Sequence, residues 1–352
     1  MRRTASTVAT LLVLPLAACS TGDGPGAAPT SSAGTPGSSP VDTPDPTSGP
    51  TQPPTETTDT LPPVTDAVSL PALMRADFDG RDLRLLRTEY RTDAYTRSQV
   101  TYRSNDTTVS GVLVRPHGRG PFPAVVLNHG YIDPSYYVTG QGLAREQDWL
   151  ARAGFVVLHT DYRGHAASDP AGDLERESRL GYARDSINAV LALEQLPYVD
   201  PDKTAMLGRS MGGGVTLDAL VAAPGLVDAA VVYAGVSSRF LDNVRRWTIP
   251  ERPEAAQAMF ARFGTPRQSP AFYRGLSPRT YFDRITEPVL MFHGRADSTC
   301  PPAWSRTTHR LLEAAGVDAT LVEYPGEEHA FYARWQDSIV RTVAFLRRQL
   351  DA

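Results

Sequence analysis

Apolar positions in this chain fall into two rhythms. Thr96–Tyr102 and Val109–Arg115 alternate apolar and polar residues, and Ser104-Asn105-Asp106 between them carries turn chemistry, so a β-hairpin is predicted. Further on, Pro123–Asn128, Phe155–Leu158, Lys203–Leu207, Ala229–Tyr233, Pro288–Phe292 and Ala319–Tyr324 read as short strands. The most apolar of them suit a sheet covered on both faces. Helices are predicted over Gly140–Ala153, over Tyr182–Leu196 with Ile187, Val190 and Leu191 inward, over Val215–Ala223 with Pro224-Gly225 closing it, and over Ser338–Leu350. Leu83–Arg91 is either a strand or a covering segment. Strands that alternate with helices predict an α/β fold: a mostly parallel central sheet with helices on both faces.

Two stretches break the pattern. Ser237–Phe282 holds Trp247, Phe260, Phe263, Phe272 and Tyr273 among Arg and Pro, and is read as a small helical cap (237–282). Its aromatics either line a pocket or seat the cap on the core. The other stretch is the N-terminus. Arg2-Arg3 precedes an apolar run from Val8 to Leu16, too short to span a bilayer, and then Leu16-Ala17-Ala18-Cys19. Small residues before one cysteine resemble a bacterial lipobox. Residues 1–18 are therefore read as a lipoprotein signal peptide, with Cys19 the lipidated first residue of the mature chain. An ordinary signal peptide cut near Ala18 is the alternative. Residues 19–63 are Pro, Thr, Ser and Gly with almost no large apolar side chain, which cannot offset their ordering entropy. They are expected to be a disordered tether, with the folded domain at 64–352. The expected location is the outer face of the bacterial membrane, anchored through Cys19; plain secretion is the alternative.

Charge narrows the partners. With 35 basic against 39 acidic residues and a net charge of −4, there is no basic stripe for nucleic acid. Only Cys19 and Cys300 occur, so a lipidated Cys19 leaves Cys300 a lone thiol. No H-E-x-x-H motif or Cys/His cluster suggests a metal, and no cofactor is expected.

The chemistry gathers around Gly208-Arg209-Ser210-Met211-Gly212. A G-x-S-x-G entered from a strand and followed by a helix matches a nucleophile elbow, which exposes a serine hydroxyl on a tight turn. A serine nucleophile needs a base, and the base needs an orienting acid. Downstream, a strand runs into His293-Gly294-Arg295-Ala296-Asp297, and the last strand leads to Gly326-Glu327-Glu328-His329. Both segments lie beyond strand C-termini, where open α/β sheets place their sites. Ser210, Asp297 and His329 thus form the expected triad. Of the seven histidines, His129, His159 and His165 precede the serine, His117 is in a turn, His309 is on a helix, and His293 belongs to the acid's own motif. Glu327 and Glu328 sit too close to His329 to orient it and read as a solvated loop face. Backbone N–H groups of Met211 and of Tyr131, in Asn128-His129-Gly130-Tyr131, are the expected oxyanion donors.

From Thr107 to Leu350 the chain resembles the α/β-hydrolase superfamily, and within it the catalytic domain of the prolyl oligopeptidase family. The resemblance rests on the motifs quoted above together with Asp161-Tyr162-Arg163-Gly164, Gly213 and Ser277-Pro278. It implies serine hydrolysis of peptide or ester bonds through an acyl-enzyme, and a scaffold role for Asp161–Gly164. Only Val64–Asn105 separates tether from core, far short of the β-propeller of full-length members. The expected substrate is therefore a small ester or a peptide, with a carboxylesterase as the alternative. A non-catalytic surface-binding lipoprotein is the reading from outside enzymology.

Overall fold

The computed structural model describes residues 61–352. The expected signal peptide, Cys19 and the tether up to residue 60 lie outside the described residues. A short helix α1 (Leu70–Leu73) leads into strands β1 (Arg81–Arg91), β2 (Tyr95–Ser104), β3 (Thr107–Pro116) and β4 (Phe122–Asn128). Then come α2 (Ala144–Arg152), β5 (Val156–Thr160), α3 (Asp173–Ser178), α4 (Leu180–Glu194), β6 (Val199–Arg209), α5 (Met211–Ala222) and β7 (Ala229–Tyr233). A helical insert follows: α6 (Phe240–Asn243), a π-helical turn, α7 (Ile249–Glu251), α8 (Pro253–Phe263) and α9 (Pro270–Gly275). The chain closes with β8 (Val289–Gly294), α10 (Pro302–Ala314), β9 (Ala319–Tyr324) and α11 (Trp335–Gln349). Among the described residues, no helix is long and apolar enough to cross a membrane.

The strands form one sheet in the order β1-β2-β3-β5-β4-β6-β7-β8-β9. Pairing is antiparallel from β1 to β5 and parallel from there to β9. This mostly parallel sheet with helices on both faces is the α/β-hydrolase architecture.

Strand periodicity explains why the central strands carry so few polar residues. Successive side chains point to opposite faces. Val126, Met206, Val232 and Met291 enter the core under α4 and α5, while Val125, Leu207, Val231 and Phe292 enter the core under α2 and α11. Both faces are buried, so neither set is polar. Helix α5 has no exposed residue, as expected for a helix packed on every side.

Local chemistry moves several boundaries. The helix expected from Gly140 starts at Ala144, because Gly140 and Gly142 adopt φ of 76° and 107°. The Gly140 N–H instead donates to Asp161 Oδ1 at 2.8 Å. Strand β6 begins at Val199 rather than Lys203, because Val199 pairs with Phe122 across an irregularity in the β4–β6 register. The aromatics of the insert seat it. Phe240, Phe272 and Tyr273 close a small core with Leu241, Val244, Met259 and Leu276, and Phe260 and Phe263 pack on its edge. Trp247 meets Trp304 of α10 edge-on at 5.6 Å.

The crossing of β4, β6 and α5 leaves no space for side chains. A Cβ on Gly212 would overlap the Asn128 carbonyl, and one on Gly208 would overlap the Gly212 carbonyl. Gly212→Ala is expected to cost about 3 kcal/mol, because backbone rather than a flexible side chain must move. A fall in the urea unfolding midpoint at unchanged m-value checks this.

Candidate active site

Strand register brings the motif loops to one edge. Asn128 pairs with Gly208, Arg209 with Tyr233, Tyr233 with Phe292, and Gly294 with Tyr324. The loops after β4, β6, β8 and β9 therefore leave the sheet side by side. Between β4 and β6 the chain order reverses, which opens a crevice at the carboxyl ends of the strands.

Ser210 occupies the turn from β6 into α5 with φ 57° and ψ −119°. A non-glycine residue there is strained and is held only by its surroundings. The Ser210 N–H donates to the Tyr233 carbonyl at 2.9 Å, and its own carbonyl accepts from Gly213 at 3.0 Å and Val236 at 3.2 Å. The loop after β4 presses against it: a Cβ on Gly130 would stand 3.2 Å from Ser210 Cβ. Among the described residues, neither the Tyr131 nor the Met211 N–H donates to a protein acceptor. For Met211 this follows from its place at a helix N-terminus.

Asp297 is buried and saturated with donors. Its Oδ1 accepts from the Thr299 N–H at 2.9 Å and the Cys300 N–H at 2.8 Å. Its Oδ2 faces His329 Nδ1 at 2.7 Å and His293 Nε2 at 3.1 Å. Burial alone would raise this carboxyl, but the bonds from His293, His329 and the Cys300 N–H outweigh it and hold the group well below the usual carboxylate range. Asp297 is therefore ionised and only accepts. His329 Nδ1 must carry the ring proton, which leaves Nε2 as the basic nitrogen.

The loop carrying Gly130 is built from inside. Asn128 accepts from Ser186 Oγ at 2.7 Å and donates to Thr216 Oγ1 at 2.9 Å, clamping the end of β4 between α4 and α5. The His129 ring is fully buried among Tyr137, His159, Tyr162 and His165. Burial, then His165, lowers its pKa to about 3, so it is a neutral structural ring. Asp161 is equally buried. It accepts from Ser110 Oγ at 2.7 Å and Tyr137 Oη at 2.8 Å, in the scaffold place expected for Asp161–Gly164.

Three features extend or correct the sequence reading. Arg209, the variable residue before the serine, is 9 % exposed. It binds Glu146 Oε1 at 2.6 Å, lies over the Tyr233 ring at 5.0 Å, and reaches the carbonyls of His329 and Ala330 at 3.4 and 3.5 Å. It thus straps the His329 loop to the serine turn. Its position inside the motif was visible; its partners were not. Glu327 corrects the expectation of a solvated loop face. It is 5 % exposed and accepts from the Tyr332 N–H at 2.7 Å and the Arg334 N–H at 2.8 Å, whereas Glu328 is exposed as expected. Cys300 is fully buried with its thiol facing the Ser210 hydroxyl, and burial followed by the Asp297 charge pushes the thiol up to about 12. It is an uncharged wall of the site.

A cleft of about 940 Å³ opens between α3 and the insert, lined by Leu174, Glu177, Arg252, Met259 and Phe263 among others. It does not include Ser210. Arg252 connects it to the site, bound to Glu177 Oε1 at 2.8 Å and lying 5.4 Å over the Tyr131 ring. Among the described residues, no group of three or more His, Cys, Asp or Glu is arranged to hold a metal.

The fold and its family together define a serine hydrolase of the α/β-hydrolase superfamily. Residues 142–352, more than half of the chain, match the family model for the prolyl oligopeptidase family, and the chain belongs to that family. The uncharacterized peptidase YtmA of Bacillus subtilis (strain 168) is 28% identical over 69% of this chain and 89% of its own length. Dipeptidyl aminopeptidase BIII of Pseudoxanthomonas mexicana is also 28% identical, over 60% of this chain but only 30% of that enzyme. The acylaminoacyl peptidase of Pyrococcus horikoshii superposes with a TM-score of 0.59 at 21% identity, covering 74% of this chain and 42% of the peptidase. Acetyl xylan esterase 1 from Thermoanaerobacterium sp. JW/SL YS485 does so at 0.58 and 19%, covering 76% of this chain and 88% of the esterase.

Arg209 separates stability from turnover. Arg209→Met strands a buried carboxylate at Glu146 and is expected to cost about 3–5 kcal/mol. Adding Glu146→Gln removes that charge and should return most of the stability. The His329 loop stays unstrapped, so kcat should remain about tenfold down in the double variant. Urea unfolding and steady-state kinetics on the same preparations check both.

Proposed function

We propose that this protein hydrolyses acyl bonds of small ester or peptide substrates through a Ser210–His329–Asp297 triad and an acyl-enzyme. The observation that carries the reading is the 2.7 Å bond from His329 Nδ1 to an ionised Asp297, on a loop that Arg209 ties to the serine turn. Asp297 fixes the tautomer and stabilises the imidazolium that forms. His329 Nε2 takes the Ser210 proton as Oγ attacks the carbonyl carbon. The free N–H groups of Tyr131 and Met211 receive the oxyanion, which needs donors with no competing partner. His329 then returns the proton to the departing alkoxide or amine. Water activated by the same nitrogen clears the acyl group from Ser210.

Peptidases and esterases both stand among the structural neighbours. Peptide and ester substrates share every step above except the leaving group, where an amine demands firmer protonation. A paired assay separates them on a chain trimmed to begin at residue 58, whose described residues 61–352 belong to one compact unit. One arm is a short-chain p-nitrophenyl ester; the other is a set of aminoacyl and peptidyl p-nitroanilides. Ser210→Ala is expected to lower kcat at least about 10⁴-fold in whichever arm turns over. Wild-type turnover by Ser210→Ala would refute the triad. Anilide turnover would assign a peptidase, and ester turnover alone a carboxylesterase.

We also propose that the enzyme is exported and held at the outer face of the bacterial membrane through lipid on Cys19. The support is the run Leu16-Ala17-Ala18-Cys19 after a short apolar segment. In the full chain, wild type should partition with the membrane fraction. Cys19→Ala should leave it or accumulate as uncleaved precursor. Unchanged partitioning of a processed Cys19→Ala chain would remove the anchor.

A further inference from the structure

We propose that His293 is a positioning residue for the triad: a second imidazole that pins the Asp297 carboxylate so that Oδ2 stays aimed at His329. The proposal rests on the triad assignment above and adds a part to it.

His293 is the penultimate residue of β8, paired in register with Glu323 of β9, so its backbone is fixed by the sheet. Its ring is completely buried. Nε2 faces two oxygens, Asp297 Oδ2 at 3.1 Å and the Cys300 carbonyl at 2.9 Å. An ionised carboxylate and a carbonyl only accept, so Nε2 must carry a proton. Nδ1 stands 2.6 Å from Ser305 Oγ, on α10 and itself buried. His293 Nε2 thus bonds the Cys300 carbonyl and stands at ion-pair distance from Asp297 Oδ2, while Nδ1 holds the ring to Ser305.

The carboxylate explains why this matters. Oδ1 is anchored by the Thr299 and Cys300 N–H groups, which belong to the same short loop as Asp297. Of the groups within 3.1 Å of its carboxylate oxygens named here, His293 and His329 lie outside that loop. His329 is the group whose position the acid must define, so it cannot also serve as the fixed reference. His293, locked in the sheet, supplies that reference.

A merely structural link between β8 and α10 makes a different prediction, and two amides separate them. An asparagine places its amide near the position of Nδ1 and keeps the Ser305 contact while losing the donor to Asp297. A glutamine reaches the position of Nε2 and restores that donor. His293→Gln is expected to keep kcat within about threefold of wild type, and His293→Asn to lose about 30-fold or more with KM within about threefold. The low-field proton of the Asp297–His329 bond, read by ¹H NMR, should persist in the glutamine variant and broaden away in the asparagine variant. Equal kcat in the two folded variants overturns the proposal. The unmutated protein provides an independent check that no folding failure can obscure. ¹⁵N-edited spectra must show His293 protonated on Nε2, and an Nδ1-protonated neutral ring overturns the assignment. Ser210→Ala run alongside keeps the two readings apart: an active Ser210→Ala refutes the triad itself, whereas an inactive one with equal His293 variants refutes only the positioning role.

Discussion

Between Gly208 and Gly212 the chain turns from the middle of the sheet into a fully buried helix with no room for a side chain at either glycine. Ser210, at φ 57°, sits in a conformation that a non-glycine residue adopts only under constraint. Everything that supplies the constraint lies in neighbouring elements. The Tyr233 carbonyl of β7 takes the Ser210 N–H, and the end of β4 packs against Gly212. The local strain is sustained by the two cores that grip β4, β6 and β7 from both faces.

The site then depends on how few charges the interior tolerates. Burying a carboxylate is costly unless donors surround it. Asp297 meets that condition with two backbone N–H groups and two imidazoles, and Glu146 meets it with Arg209 and the Trp335 indole at 3.2 Å. These two buried anions have complementary effects. Asp297 orients the ring of His329 directly. Glu146 acts through Arg209, whose guanidinium reaches the backbone of the His329 loop. The ring and the loop that carries it are therefore held by separate partners.

Much of the architecture was legible in the sequence because the central strands are nearly all apolar and β2 alternates, whereas β3, expected to alternate, is buried on both faces from Val109 to Val114. Both patterns report burial, which is what strand periodicity encodes. Boundaries were less legible where special backbone conformations intervened, as at Gly140 and Gly142 before α2. The insert was recognisable as a break in the rhythm. Whether its aromatics faced a pocket or the core depended on which helix faces met, and Phe240, Phe272 and Tyr273 meet one another and their aliphatic neighbours in a small core of their own.

Chain order, strand context and the glycine spacing around Ser210 were enough to nominate Ser210, Asp297 and His329 and the loop bearing Tyr131, because those features are local. The partners of Arg209 were far away in sequence, and those of His293 and Glu327, though near in the chain, depended on how the loops fold back. His293 stood inside the acid's own motif, yet its ring direction is set by β8 and by Ser305 on a later helix. Arg209 occupies a motif position open to any side chain, and its role exists only because α2 brings Glu146 beneath it. Glu327 looked like half of a solvated acidic pair until the loop folded back and turned two N–H groups toward it. The sequence by itself determined the apolar pattern, the turn chemistry and the order of the chemical groups. The tertiary structure decided which buried charges meet, because a contact between residues tens to nearly two hundred positions apart is written in the packing of elements and not in their spacing.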